Sequence, residues 1–182
     1  RAPGWLGGRV LDLFSAEGGF ALPLAAAGSQ VRAVDQSTAL IDRARRSAEA
    51  AGVLKNITFV ADNAFDVLAQ LERDGERVDG IVLDPPPFAR HRAETGGAAR
   101  GYKDLHRRAL RLLGPGGRLL TFSCSFAVAD HEFEAIVREG AEEAETRLLV
   151  LERPGAGADH PERLDLPESR YLKGLLLERL DE

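Results

Sequence analysis

Cysteine, methionine and long apolar runs are scarce or missing in this chain of 182 residues. The single cysteine, Cys124, excludes an internal disulfide and gives no sign of an oxidising compartment. No apolar run is long enough to cross a membrane, and the first residues lack the pattern of a secretory signal. The histidines show no metal-ligand spacing: His91, His106, His131 and His160. We therefore expect a cytoplasmic protein that binds neither a structural metal nor a membrane.

Methionine is absent even from position 1, which favours a domain excised from a longer chain. The length suits one domain with a sizeable core, and no domain break is evident, so residues 1–182 are predicted to form one catalytic unit. The net charge of −5 argues weakly against a domain that binds nucleic acid by itself. Oligomeric state is left open, with a homodimer as one option.

Apolar, strand-like runs alternate with helical patterns along the chain. Strands are predicted at 9–14, 30–34, 57–60, 78–83, 118–123, 147–151 and 171–177. Helices are predicted at 19–27, from a cap at Ser37 or Thr38 to residue 51, at 64–73 and 102–113, and from a cap at Asp130 to about residue 143, with loops at 89–100 and 154–167. This order predicts an α/β fold with a seven-stranded, mostly parallel sheet and helices on both faces.

Two of the predicted strands end in residues that can perform chemistry. Asp84 opens the sequence Asp84-Pro85-Pro86-Pro87-Phe88, and Cys124 lies between Ser123 and Ser125. Ligands of open α/β sheets bind at the carboxyl ends of strands. A lone cysteine is more often a buried structural residue, but its position between two serines at a strand end favours a nucleophile. A thiol and a carboxylate there suggest attack on an electrophilic ring.

The first strand-to-helix turn predicts a nucleotide-like ligand. Its glycines, Gly18 and Gly19, would let a ligand approach the backbone at a helix N-terminus. The turn is not G-x-G-x-x-G, and Phe14 would crowd a pyrophosphate, which disfavours a nicotinamide oxidoreductase. Asp35 suits ribose hydroxyls, and Asp62 with Asn63 suits the amine of adenine.

Each of these acids alone is more typical of a helix cap or a turn. However, acids near the ends of three successive strands, Asp12, Asp35 and Asp62, indicate an adenosine ligand without phosphates. S-adenosylmethionine meets this description. The predicted cofactor contacts are Asp12, Phe14, Ser15, Ala16, Gly18, Gly19, Phe20, Asp35, Gln36, Ser37, Asp62, Asn63, Ala64, Asp84 and Pro85.

The sequence resembles known enzymes at this point. The segments 11–20, 34–35, 62 and 84–86, in that order, resemble class I S-adenosylmethionine-dependent methyltransferases, which have a Rossmann-like fold. More specific strings resemble the bacterial 23S rRNA (cytosine-5)-methyltransferases, whose catalytic domain follows an N-terminal PUA domain. These strings are Gly101-Tyr102-Lys103-Asp104, Thr121-Phe122-Ser123-Cys124-Ser125, Ala158-Asp159-His160-Pro161 and Tyr171-Leu172-Lys173-Gly174.

The resemblance implies formation of 5-methylcytosine in 23S rRNA, on a cytosine that is single-stranded or flipped out of its helix. The chain departs from the family at Ala16-Glu17, where Tyr-Thr is usual, and at Pro87, where Lys is usual. The first departure puts binding of the methionine end in doubt, and the second removes a cation that could contact the substrate.

Cytosine carbon 5 is a poor nucleophile until a thiolate adds to carbon 6 and converts the ring to an enamine. Cys124 is predicted to supply this thiolate. Asp84 is predicted to bond ring nitrogen 3 or the exocyclic amine. The predicted substrate contacts are Pro86, Phe88, Tyr102, Lys103, Ser123 and Ser125, with Phe88 offering a ring for stacking. The base that removes the carbon-5 proton is not identified, with His160 or a water as options.

Positive charge is concentrated between Phe88 and Arg111, where seven lysines and arginines accompany Glu94 and Asp104. Such a run on its own indicates a solvated helix face. Because this one follows the loop after Asp84, it is also a candidate for phosphate contact.

Other functions remain open from the sequence. An amino-group methyltransferase would also use an Asp-Pro-Pro-Phe-like turn but needs no cysteine. A uracil carbon-5 methyltransferase would use a cysteine in the same way. A non-catalytic module that binds S-adenosylmethionine and RNA is the alternative outside enzyme chemistry.

Overall fold

A computed structural model describes residues 2–87, 95–157, 161–166 and 169–180. The helices are α1 (Ala2–Trp5), α2 (Ala21–Ala26), α3 (Thr38–Ala50), α4 (Ala64–Arg73), α5 (Thr95–Leu112) and α6 (Asp130–Glu143). The strands are β1 (Arg9–Leu13), β2 (Gln30–Asp35), β3 (Ile57–Ala61), β4 (Val78–Leu83), β5 (Leu113–Ser123), β6 (Leu148–Glu152) and β7 (Lys173–Arg179). Within these ranges, no helix combines the length and apolar character needed to cross a bilayer.

The seven strands form one sheet in the order β3-β2-β1-β4-β5-β7-β6, which confirms the predicted fold class. Strands β1 to β5 run parallel, and β7 runs antiparallel to both β5 and β6. The chain order reverses at β1 and β4, so the helices leave a crevice above the carboxyl ends of these strands. Because Ser123 is paired with Lys173, the beginning of β7 lies at that same edge.

Helices cover both faces of the sheet, because the parallel strands are apolar on both sides. On one face, α4, α5 and α6 bury a cluster that includes Leu68, Leu105 and Phe133. On the other face, α2 and α3 bury a second cluster that includes Leu24 and Ala48. Side chains alternate along each strand, so Asp12 and Cys124 point to the α2 face while Thr121 and Ser123 point to the α5 face.

Several predicted boundaries differ from the structure. Helix α5 begins at Thr95, inside the predicted loop, and Asp130 is the first residue of α6 and not its cap. The residues from Gly114 to Gly117, which lie between the predicted helix at 102–113 and the predicted strand at 118–123, belong to the first half of β5. In contrast, α4 and β4 have their predicted bounds, α6 ends at the predicted Glu143, and Ser37 caps α3 by accepting a hydrogen bond from the N–H of Leu40 at 3.4 Å.

Gly174 is expected to tolerate no side chain. A Cβ atom there would lie 2.7 Å from the ring of Phe122 and 2.9 Å from the backbone oxygen of Pro154. Gly174→Ala should therefore lower the free energy of unfolding by about 1–3 kcal/mol, because β5 and β7 must move apart. Gly155→Ala, where a Cβ meets nothing within 4 Å, is the matched control and should stay within about 0.5 kcal/mol of wild type in urea unfolding. Equal stabilities for the two variants would contradict this packing.

Candidate cofactor and nucleophile site

A cavity of about 630 Å³ lies at the carboxyl ends of β1 to β5. Its lining confirms that the predicted strand ends converge on one pocket. The lining includes predicted residues from five turns, namely Phe14, Ala16, Asp35, Gln36, Asp62, Asn63, Ala64, Asp84, Pro85, Pro86 and Cys124. It also includes residues that were not predicted, namely Val34, Phe65, Tyr171 and Leu172. Phe88 and His160 lie outside the described residues.

The turn after β1 holds an unusual backbone shape. Phe14 and Ala16 have positive φ angles of 63° and 47°, a backbone conformation that residues other than glycine rarely adopt. Gly18 follows at φ 87°, and a Cβ there would collide with the side chain of Leu22. Strained backbone of this kind clusters at ligand sites, where neighbouring contacts hold it in place.

Asp35 supplies those contacts. Its carboxylate accepts hydrogen bonds from the backbone N–H of Ala16 at 3.0 Å and of Ser37 at 2.9 Å. Asp35 therefore fixes the turn after β1 to the end of β2, a role that the sequence did not predict. A carboxylate has about four acceptor positions, so ribose hydroxyls can still bond to it.

The turn after β3 is also ordered by its own side chains. Asp62 accepts from the N–H of Asn63 at 2.7 Å, and Asn63 caps α4 by accepting from the N–H of Phe65 at 2.9 Å. Asn63 is therefore the cap of α4, a role that was not predicted, while Asp62 belongs to the turn before it. Both residues still line the cavity, where Asp62 is exposed.

Asp12 and Ser15 are polar groups without partners beneath the cavity. Asp12 is 1% exposed, and among the residues that the structure describes neither its carboxylate oxygens nor the Ser15 hydroxyl has a hydrogen-bond partner. Burial raises the pKa of Asp12 to about 8, and the carboxylates of Asp84 and Asp35 add to the rise. The N–H of Ala21 offsets part of it without reaching hydrogen-bond geometry. Such orphaned polar atoms fit a pocket that awaits a polar, positively charged ligand.

Asp12 should make stability depend on pH. With a folded pKa of about 8 against an ordinary 3.8, the folded chain holds a proton that the unfolded chain releases. Stability should therefore fall as pH rises through this window, by at most about 1.4 kcal/mol per pH unit. Asp12→Asn should flatten the slope, measured by urea unfolding at several pH values. Asp42→Asn, an exposed acid on α3, should keep it. If Asp12→Asn kept the wild-type dependence of stability on pH, Asp12 would not be the group that holds the proton in the folded chain.

The remaining predicted cofactor residues support the pocket and do not line it. Gly18 is buried in the turn, Gly19 is exposed, and Ser37 belongs to the cap of α3. Phe20 stacks on Phe122, with 5.6 Å between ring centroids, and so connects the first turn to β5.

Cys124 and Asp84 border the same cavity from adjacent strands. The Cys124 thiol is half-buried, with its sulfur 3.9 Å from the carbonyl oxygen of Pro85. Burial raises the pKa of the Cys124 thiol, Asp84 raises it further, and Lys173 lowers it. Solvent reaches Asp84, yet the surrounding protein displaces enough water to raise the pKa of its carboxyl as well. Both groups are therefore biased toward their neutral forms before any substrate binds.

Four predicted substrate contacts need correction. Tyr102 and Ser123 are 0% exposed on the α5 face of the sheet, where Ser123 donates to the Tyr102 hydroxyl at 3.4 Å. Direct contact of either residue with a nucleotide does not fit this burial. Lys103 pairs with Glu143 at 2.9 Å on α6 and does not line the cavity. Ser125, 1% exposed, belongs to the turn after Cys124 and does not line the cavity either.

His106 reinforces the buried layer behind β5. Its Nδ1 lies 2.7 Å from the carbonyl of Tyr102 and its Nε2 lies 2.8 Å from the hydroxyl of Thr121. A carbonyl can only accept, so Nδ1 carries the proton and Nε2 accepts from Thr121. Burial lowers the pKa of His106 to about 4, which keeps the ring neutral. The residue joins α5 to β5 and holds the strand that ends at Cys124.

The basic segment is largely paired within its described part. Arg107 and Arg108 bind Asp104, and Lys103 and Arg111 bind acids of neighbouring helices, namely Glu139, Glu143 and Glu72. Phosphate contact by these four cations would compete with those pairs. Arg90 and Arg92 lie outside the described residues.

The sheet order, the antiparallel β7 and the acid-lined pocket at the strand ends define a class I, Rossmann-like methyltransferase fold. The profile of the family described as "Methyltransferase domain" matches residues 6–163. The chain belongs to this family. S-adenosylmethionine is the methyl donor of this class, so the cofactor prediction is confirmed.

Curated relatives extend the comparison. The chain is 42% identical over 171 residues to "Ribosomal RNA large subunit methyltransferase I" of Aeromonas salmonicida, covering 93% of this chain and 43% of that protein. The protein of the same name from Klebsiella pneumoniae is 42% identical over 168 residues, covering 91% and 42%. The chain thus spans less than half the length of these relatives.

Solved structures share the fold. The crystal structure of SMU.776 complexed with SAH superimposes with a TM-score of 0.83 at 22% identity, covering 96% of this chain and 46% of that one. TrmN from Thermus thermophilus gives a TM-score of 0.65 at 27% identity, covering 96% and 45%.

Proposed function

We propose that this chain catalyses transfer of a methyl group from S-adenosylmethionine to carbon 5 of a cytosine in 23S rRNA, in the cytoplasm. The observation that carries the proposal is the meeting of Cys124 and Asp84 at one cavity, each at the end of its strand. The names of the two curated relatives support large-subunit rRNA as the substrate class.

The residues present fit the cofactor. Acids at or near the ends of four strands surround the cavity or lie beneath it, namely Asp12, Asp35, Asp62 and Asp84. When bound, S-adenosylmethionine supplies a methyl group on a sulfonium, and its positive charge suits such a lining. Asp35 and Asp62 would hold the nucleoside, while Asp12 and Ser15 would face the methionine end. The SAH bound to the structural neighbour supports the same ligand class.

Cys124 would act as the nucleophile. Its thiolate forms a bond to carbon 6 of the cytosine, and the ring electrons move to make carbon 5 nucleophilic. Asp84 would bond ring nitrogen 3 or the exocyclic amine and share a proton as negative charge develops there. After carbon 5 is methylated, a base removes its proton and the sulfur leaves from carbon 6. His160 or a water is proposed for that base.

The substrate base must reach the cavity from outside. Pro86 borders the cavity and offers an apolar edge, and Phe88, two residues further along the chain, is proposed to stack on the base. A cytosine within a helix cannot enter, so the target is proposed to be unpaired or flipped out.

The product identifies the reaction. Large-subunit rRNA from cells lacking the gene should be incubated with the protein and methyl-labelled cofactor, digested to nucleosides and analysed by mass spectrometry. We expect 5-methylcytidine. N4-methylcytidine would indicate amino-group transfer, 5-methyluridine would indicate a uracil enzyme, and cofactor binding without product would indicate a binding module. Each of these three outcomes overturns the proposal.

A further inference from the structure

Lys173 is the first residue of β7 and contacts both the turn that carries the nucleophile and the segment just before β7. Its ammonium nitrogen donates to the carbonyl of Ser125 at 2.8 Å and to the carbonyl of Tyr171 at 3.0 Å. Ser125 follows Cys124 directly, and Tyr171 lines the cavity beside Cys124. One side chain thus fastens the end of β5 to the beginning of β7.

The Lys173 ammonium lies in an unusual environment for a charged group. The side chain is half-buried, and burial lowers its pKa. Both hydrogen-bond acceptors that the described residues offer it are neutral carbonyl oxygens. The carboxylates of Asp130 and Glu132 on α6 and the Cys124 thiol favour its charged form from farther away. An ammonium uses three donors, and the two carbonyls account for two of them.

We propose that Lys173 is a positioning residue for the chemistry at Cys124: it fixes the Cys124–Ser125 turn against β7 and holds a positive charge next to the nucleophile. This inference rests on the proposed function of Cys124 and adds a group that favours the thiolate form of its side chain. Carbonyl oxygens hold the ammonium without neutralising it, so its field remains available to a thiolate.

The balance of charges around Cys124 explains why such a group is needed. Burial and the carboxylate of Asp84 both oppose ionisation of the thiol. The charge of Lys173 favours ionisation of the thiol, and the backbone N–H of Cys124 acts in the same direction. Without the ammonium, the thiol would face a carboxylate in a half-buried site and would be still harder to ionise.

The pH profile of thiol alkylation tests this inference. Cys124 is the only cysteine of the chain, so iodoacetamide reports on it alone. For Lys173→Gln we expect alkylation about three- to tenfold slower near pH 7, converging with wild type at alkaline pH, because the rate follows the thiolate fraction. Lys173→Met, which keeps the apolar stem, is measured in parallel should Gln unfold the chain. Lys173→Arg should restore most of the rate.

Two further variants sharpen the result. Asp84→Asn should alkylate faster than wild type near pH 7, because a charge that opposes the thiolate is removed. Lys55→Gln, an exposed lysine after α3, is the matched control and should leave the profile unchanged. An unchanged profile in Lys173→Gln and Lys173→Met, or a loss equal at every pH, would overturn the role of the charge. Alkylation needs neither RNA nor cofactor, so this outcome is independent of whether Cys124→Ala retains methyl transfer.

Discussion

Cys124→Ala is expected to lower methyl transfer to rRNA by at least about 10³-fold while cofactor binding stays within about threefold of wild type. The loss follows because carbon 5 of cytosine cannot attack until sulfur has added to carbon 6. Cofactor binding should survive because Asp35 and Asp62, the acids proposed to hold the nucleoside, lie at the ends of other strands. Single-turnover methyl transfer and calorimetric cofactor binding measure the two effects separately.

The control for Cys124→Ala is a measurement of its thermal stability. The melting temperature of Cys124→Ala should be close to that of wild type, because the residue is only half-buried and the contact of its sulfur with the carbonyl of Pro85 is weak. Cys124→Ser should be as inactive as Cys124→Ala, since a hydroxyl is a far weaker nucleophile than a thiol. Full methylation by either variant would show that the enzyme uses chemistry without a thiolate, such as amino-group transfer.

Asp84→Asn is expected to lower kcat by about 10²- to 10³-fold at saturating RNA and cofactor. Burial already raises the pKa of Asp84, so its carboxyl is suited to share a proton with the ring nitrogen as charge develops there. Asn can donate a hydrogen bond but cannot exchange a proton. The matched control is Asp62→Asn, which should raise the KM for cofactor and leave kcat within a few-fold of wild type.

The two substitutions separate chemistry from binding within one pocket. If Asp84→Asn kept nearly wild-type kcat and instead raised the KM for cofactor, Asp84 would serve the cofactor and the proton-sharing role would be wrong. Both variants remove one negative charge from the same cavity, so a general electrostatic effect would alter them alike.

Much of the fold could be predicted because its strands are short apolar runs ended by polar or turn residues. The bounds of β4 and α4 follow directly from these patterns. The beginning of α5 could not be predicted, because Gly96 and Gly97 have poor helix propensity.

The candidate site was predicted in part, for a related reason. Parallel strands bring their carboxyl ends together, so residues just after each strand were visible as a set. Tyr171 and Leu172 were missed because an antiparallel strand reaches the same edge with its amino end. The burial of Tyr102 had a signal in the helical spacing it shares with Leu105 and Ala109, which form one apolar stripe.

Asp35 shows what a sequence pattern cannot resolve. An acid at the end of the second strand suits ribose hydroxyls, and it suits equally the backbone N–H groups of the adjoining turn. The structure shows that the carboxylate bonds Ala16 and Ser37, and that contact depends on the positive φ angles of the first turn.

A trapped adduct tests the central claim most directly. In RNA carrying 5-fluorocytidine at the target, the fluorine on carbon 5 cannot be removed as a proton would be, so the sulfur cannot leave carbon 6. With wild-type protein and cofactor we predict a stable protein–RNA complex, one methyl group heavier than the sum of its parts, whose digest shows the nucleotide on Cys124. Methylated RNA without this adduct, or an adduct at another residue, would contradict the account.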